Sequence, residues 1–265
     1  MLINSYYLFE KERKIRRNSM KIFKRDLKYQ AKKFFLPLVV LVLLYIFMVF
    51  LTTDQRGDMT LVESFFYGAY FDSGVITEIN GMEIPDRWLL LHLIPVINLL
   101  LIFIKDHYEN GIYTILKVEK KTYYFFSKIF SGIVINIIAV AIFAIPFLIY
   151  IQSENGSDYN LVNLFKQVML CLTLENIILT MGAIIIALLS STMVAILLVI
   201  ANMAIAMASN FPYIIGQSSL AYMQETLDGP LKFTNNLIFL FVFLVILIVF
   251  SYIYFNRYNY YGYEK

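Results

Sequence analysis

The sequence is poor in the residues from which disulfide scaffolds, metal centres and water-facing surfaces are made. Its 265 residues include one cysteine, two histidines and 15% charged residues. Cys171 stands alone within an apolar run, so it can form neither an intrachain disulfide nor a cysteine metal cluster, and reads as a small packing residue. His92 and His107 have no second ligand at metal spacing. No GxSxG, HExxH or Walker A sequence is present, so the common hydrolase, metalloprotease and nucleotide-binding signatures are missing.

Apolar residues fill the space. The chain is 60% hydrophobic, with a mean hydropathy of +0.69, whereas roughly a quarter of a soluble domain is charged. A bilayer core about 30 Å thick takes about 20 consecutive apolar residues as a helix. Long apolar runs with few or no charges place such spans at about 34–53, 87–105, 128–152, 165–189, 193–209 and 233–256. The uncharged stretch from Asn176 to Gln224 is 49 residues, too long for one helix, and Ser190-Ser191-Thr192 is its polar breakpoint. Backbone polar groups cannot stay unpaired in lipid, so the expected fold is all-α and polytopic, with six transmembrane helices.

Charge placement predicts the orientation. Of 22 basic residues, 11 precede Phe34, five lie from Lys105 to Lys128, and Arg257 and Lys265 follow the last span. The other side has Arg56, Arg87, Lys166 and Lys232 against 11 acidic residues. Basic loops stay inside, so both termini are expected in the cytoplasm. Basic residues massed just before a span are a topology and lipid-headgroup signal, which argues against nucleic-acid binding. The first span is expected to direct insertion without a cleaved leader.

Outside the spans, residues 1–19 read as a charged extension, and 20–265 as a single membrane domain. Met20, Phe23, Leu27, Ala31 and Phe34 recur at helical spacing among lysines and Arg25. This predicts an interfacial amphipathic helix from Met20 to Phe35, capped by Ser19. The outer loop, 54–86, contains the aromatic run "SFFYGAYF", in which Phe65, Phe66, Tyr67, Tyr70 and Phe71 are candidate substrate contacts. A short helix is expected there at Leu61–Phe71, followed by Trp88 as an interfacial anchor. Pro95 and Pro146 predict kinks. The segment Asn210–Lys232 is expected to hold a re-entrant or surface helix.

Glu175 is the one ionisable group deep within a span, where lipid exposure would cost several kcal/mol, so it is expected to face the bundle interior. Asn176 is expected to share its hydrogen bonds. His92, on an apolar helix, reads as a buried hydrogen-bonding group or a proton-transfer residue, and His107, in "KDHYEN", as an exposed interface residue.

The loop 106–127 carries "KDHYENGIYTILKVEKKTYYFFSKIFSG" in its surroundings. Gly111 permits a sharp turn, and Ile112 to Val118 form a short helix with apolar Ile112, Ile115 and Leu116, fit to dock in a partner groove. An acidic residue and a glycine before a short helix, then a basic turn and a lysine opening the third span, resemble the cytoplasmic loop of ABC-2 type permeases. Glu109, Gly111, Leu116, Lys121 and Lys128 carry that resemblance, with Lys120 in the basic turn. The turn "VEKKTYY" departs from the family in lacking its Pro-Ser-type turn.

The resemblance implies a subunit of an ATP-driven exporter in a bacterial plasma membrane, with no catalytic residues or cofactor of its own. ATP and Mg would be bound by separate cytoplasmic ATPase subunits, and a second permease chain, identical or different, would complete the pathway. The cargo by analogy is an antimicrobial peptide of the bacteriocin or lantibiotic kind. Two alternatives stay open: a membrane-embedded enzyme using Glu175 or His92, and a stand-alone immunity or sensor protein without energy coupling.

Overall fold

The computed structural model describes the backbone of residues 2–53, 86–116, 121–153, 159–209, 211, 213–227 and 229–257. These residues form six α-helices: α1 (Leu2–Thr53), α2 (Asp86–Leu116), α3 (Lys121–Ser153), α4 (Tyr159–Leu189), α5 (Thr192–Ala208) and α6 (Phe233–Arg257). Between α5 and α6 the chain makes three short 3-10 turns, Gln217–Ser219, Ala221–Met223 and Glu225–Leu227. Among the described residues the one β feature is an isolated bridge between Gln224 and Leu231.

Five helical stretches are long and apolar enough to cross a bilayer: Met20–Phe47, Trp88–Gly111, Thr122–Ile145, Val162–Leu189 and Phe233–Phe255. The protein is therefore a polytopic helical membrane protein. The fifth apolar run gives the shorter α5, whose 17 residues reach ~25 Å at 1.5 Å per residue, against a hydrocarbon core of about 30 Å. The break between α4 and α5 falls at Ser190–Ser191, as the polar triplet predicts. Ser191 caps α5 by accepting the Val194 N–H at 3.3 Å.

The helices stack in tiers. α1 packs on α2 and α3, these pack on α4, α5 packs on α4 and α2, and α6 packs on α4 and α3. The parallel register of α4 and α6 is fixed by the Tyr254 hydroxyl on the Leu188 carbonyl at 3.2 Å and by Asn236 near Cys171 at the other end, at 3.6 Å. Phe125 and Phe255 stack at 4.1 Å. The ends of α2, α4 and α6 thus gather with the starts of α3 and α5, at what we term the hairpin end.

Three local expectations are corrected. Ser19 lies within α1, which runs through Met20 without a break, so it caps nothing. Gly111 also lies within a helix, since α2 continues to Leu116. Amide bonding along the helix prevails there over the local freedom of glycine, because Gly111 packs against Tyr124. His107 is buried rather than exposed, stacked on Phe103 at 6.0 Å and edge-on to Phe255 at 6.5 Å. The expected helix at Leu61–Phe71 lies outside the described residues.

A Cβ at Gly111 would stand 2.9 Å from the Tyr124 hydroxyl, and Tyr124 is fully buried. In an open helix, Gly→Ala gains about 1 kcal/mol, whereas overpacking a filled site costs about 1–3 kcal/mol. Gly111→Ala is therefore expected to lower the melting midpoint of the purified protein. A rise would place Gly111 in open space.

Candidate functional site

Two buried polar centres stand out, one at each end of the bundle. At the hairpin end, Asp26 of α1, Asp106 of α2 and Lys128 of α3 converge, each 3% exposed or less. Lys128 Nζ donates to Asp106 Oδ2 and lies 3.5 Å from Asp26 Oδ1. Ser127 Oγ donates to Asp26 Oδ2 at 2.7 Å. Arg25, partly exposed, donates to Asp26 and to Thr114, and its guanidinium is 3.8 Å from Asp106. Two cations thus face two carboxylates, joining three helices in a charge-balanced knot.

At the opposite end, Glu175 of α4 is fully buried. Its Oε1 accepts the backbone N–H groups of Gly216 and Ser218, both at 2.8 Å. Its Oε2 is 3.3 Å from His92 Nε2 on α2. His92 Nδ1 is 2.9 Å from the Trp88 carbonyl, and the Trp88 indole N–H donates to Ser219 Oγ at 2.9 Å. Successive backbone N–H groups around a positive-φ residue make an anion-binding nest. Gly216, at φ 110°, is that residue, and a Cβ there would meet Ala206, Met203 and Trp88 at 3.3 Å each.

The returning segment that forms the nest is itself fastened from three sides. Asn202 Nδ2 donates to the Ile215 carbonyl at 2.8 Å. Gln217 Nε2 donates to the Ala206 carbonyl at 3.2 Å and to that of Ser209, so it takes up carbonyls at the end of α5. Ser218 Oγ donates to Asn236 Oδ1 of α6 at 2.6 Å.

Between the two centres lies a column of amides and hydroxyls. Pro95 has no N–H, so the Leu91 carbonyl one turn earlier loses its helical donor. Asn176 Nδ2 supplies the replacement at 3.2 Å. Thr180 Oγ1 donates to the Asn176 carbonyl at 2.7 Å, and Asn136 Nδ2 reaches Thr180 at 3.4 Å. Below these, Gln30 Nε2 donates to the Lys128 carbonyl at 3.2 Å. Gln30 and Asn136 line a cavity of about 10 Å³, the space of about one water, and their side-chain oxygens have no protein partner. On the outer side of α4, a larger apolar cleft of about 550 Å³ opens toward α5 and α6, lined by Leu179, Gly182, Ile186, Asn202, Phe243 and Leu247 among others.

The structure brings the intramembrane candidates together but splits the loop candidates. His92 and Glu175 meet; Asn176 adjoins them yet serves Leu91. Lys128 is in the buried knot. Glu109 is exposed and paired with Lys105 at 3.7 Å. Gly111 and Ile115 are buried against the bundle, so Ile115 is not an exposed docking knob. Ile112 and Leu116 end α2 and Lys121 begins α3, their side chains outside the described ones. Lys120 and the aromatic set Phe65, Phe66, Tyr67, Tyr70 and Phe71 lie outside the described residues. Asp26, Asp106, Gln30 and Ser219 were not singled out by sequence. The one available signal was Asp26, the lone acid between Lys21 and Lys33. Among the described residues no group of three or more metal-ligating side chains occurs. Comparison with protein-family models, curated proteins and solved structures gives no match.

Breaking a buried ion pair from one side costs about 3–5 kcal/mol, because the surviving charge is left uncompensated. Lys128→Met is therefore expected to lower the melting midpoint sharply and to reduce the yield of folded protein. Adding Asp26→Asn and Asp106→Asn to Lys128→Met removes the stranded charges and is expected to restore much of the loss. A Lys128→Met protein that melts like the parent would show that the knot is not held by charge.

Proposed function

We infer that this chain is the membrane-embedded permease subunit of an ATP-driven exporter of the ABC-2 type, receiving work from a separate cytoplasmic ATPase that binds ATP and Mg. The observation that carries this reading is the knot of Asp26, Asp106, Lys128 and Arg25. α2 and α3 run as helices to Leu116 and Lys121, leaving a four-residue connection. A push on that connection meets three helices tied by buried charge directly above it. Positive-inside placement puts this hairpin end in the cytoplasm, of a bacterial plasma membrane by the resemblance. The pathway then needs a second permease chain, identical or different. The apolar cleft beside α4 suits a hydrophobic or amphipathic cargo, such as an antimicrobial peptide.

Co-expression with the P-loop ATPase of its own gene neighbourhood is expected to give a stable complex whose ATPase activity the permease stimulates. Glu109 is exposed and its pairing with Lys105 is worth at most about 0.5 kcal/mol, so in the pair Glu109→Ala with Leu116→Ala the Glu109 change should leave melting nearly unchanged. The same pair is expected to reduce ATPase stimulation several-fold. Absence of a complex, or full stimulation by the double variant, would reject the energy-coupled reading in favour of a stand-alone membrane protein.

Orientation is checked separately. In a Cys171→Ala background, Ser190→Cys should react with an impermeant maleimide only from the cytoplasmic face, and Glu225→Cys only from outside, both positions being exposed. The reverse pattern would invert the topology.

A further inference from the structure

The polar atoms around His92 do not balance unless the site holds one proton more than a neutral imidazole and a free carboxylate supply. His92 Nδ1 faces the Trp88 carbonyl at 2.9 Å. A carbonyl only accepts, so the ring hydrogen of a neutral His92 sits on Nδ1. That leaves Nε2 as a bare lone pair, facing Glu175 Oε2 at 3.3 Å and Ser219 Oγ at 3.4 Å. Ser219 does not resolve the conflict: turning its hydroxyl hydrogen to Nε2 gives up the nearer Gly216 carbonyl at 3.1 Å, and Oε2 still faces the same lone pair. Glu175 Oε1 is already engaged with two N–H groups.

We propose that His92 and Glu175 form a proton-binding site inside the bundle, and that the single proton they share controls docking of the returning segment 213–227. The proton lies on His92 Nε2, as an imidazolium facing a carboxylate, or on Glu175 Oε2, donating to a neutral imidazole. Both arrangements have the same proton count and zero net charge, which is what a fully buried pair tolerates. Removing the proton sets a carboxylate oxygen against a nitrogen lone pair with no donor between them. Adding a second leaves a buried net positive charge.

Either change loosens Glu175, and Glu175 is what the nest of Gly216 and Ser218 is closed around. The other fastenings of the segment come from amides and hydroxyls that do not titrate: Asn202, Gln217 and Asn236. The described charged side chains on the surrounding elements at this end, Lys166, Glu225 and Lys232, are exposed. Cys171, one turn from Glu175 on α4 and fully buried, is a further described titratable side chain nearby. Among the described residues, the shared proton is thus the one fastening that responds to pH.

The chain contains a built-in reporter. Its only tryptophan is Trp88, whose ring lies 4.9 Å from that of His92. In the full-length protein, reconstituted in lipid nanodiscs, Trp88 emission is expected to change through a one-proton transition as pH is raised. Hydrogen exchange corrected for its intrinsic pH dependence should show protection at Gly216 and Ser218 lost over the same interval. Glu175→Gln keeps an oxygen for the nest and offers an amide hydrogen to His92 Nε2, so it is expected to abolish both transitions while the segment stays protected. His92→Gln provides the second arm if Glu175→Gln fails to fold, with the same expected loss. His107→Gln should keep both transitions. Transitions that survive in a folded Glu175→Gln or His92→Gln protein, or a parent protein with neither transition, would overturn the proposal.

Discussion

A carboxylate with no exposed surface, placed within a helical bundle, sets the terms for the half of the molecule around it. Glu175 needs hydrogen donors, and a helix cannot supply two from its backbone, because its interior N–H groups are spent on its own carbonyls. Away from a helix N-terminus, only non-helical backbone can turn two N–H groups toward one oxygen. Non-helical backbone at membrane depth is tolerated only where protein covers it. The structure meets both conditions together: α5 stops at Ala208, and residues 215–221 return as buried turns whose Gly216 and Ser218 face Glu175. The short α5 and the buried turns are two aspects of accommodating one acid.

The knot at the hairpin end obeys a different rule. Ion pairs removed from water are seldom more stabilising than apolar side chains of similar size, since desolvation offsets the Coulomb gain. What Asp26, Asp106 and Lys128 add is position. A lysine that must reach both acids permits one register of α1, α2 and α3, where greasy faces alone would allow sliding. Gln30, donating to the Lys128 carbonyl, extends the same constraint one turn along α1.

Five of the six expected spans, the break at Ser190–Ser191 and the inward position of Glu175 were legible in the sequence because each rests on a large cost: burying charge, or leaving backbone unpaired. The inner face of α1 was not. Its apolar spacing marks Met20, Phe23, Leu27, Ala31 and Phe34 as one side; Phe34 is buried and Phe23 and Leu27 are half-buried, yet Met20 and Ala31 are exposed while Asp26 and Gln30 are buried. In a bilayer the outward face is greasy and the polar contacts turn inward, so periodicity that finds the core of a soluble helix misdirects here. Lys128 makes the inward Asp26 affordable, and nothing in a single sequence reveals that pairing across about a hundred residues. His107 and Gly111 were misplaced for a simpler reason: the charged "KDHYEN" reads as loop, but α2 continues through it. The interaction of Asn176 with Leu91 was legible in principle, since Pro95 leaves a carbonyl without its donor, though not which side chain would meet it.

α2 is the element on which both centres depend. It carries Asp106 in the knot and His92 in the proton site, about four turns apart, or ~21 Å along one helix at 1.5 Å per residue. A proline between them would ordinarily make a hinge; here Asn176 of α4 bonds the freed carbonyl, and α2 is braced where it would bend. Axial displacement of α2 at Leu116 would therefore arrive at His92 with little absorbed on the way. It would draw His92 Nε2 away from Glu175, which α4 holds. A mechanical input at the hairpin end and a proton at the opposite end then act on the same contact, at 3.3 Å. Coupling between them needs no change within α2, only a shift of one rigid helix against another.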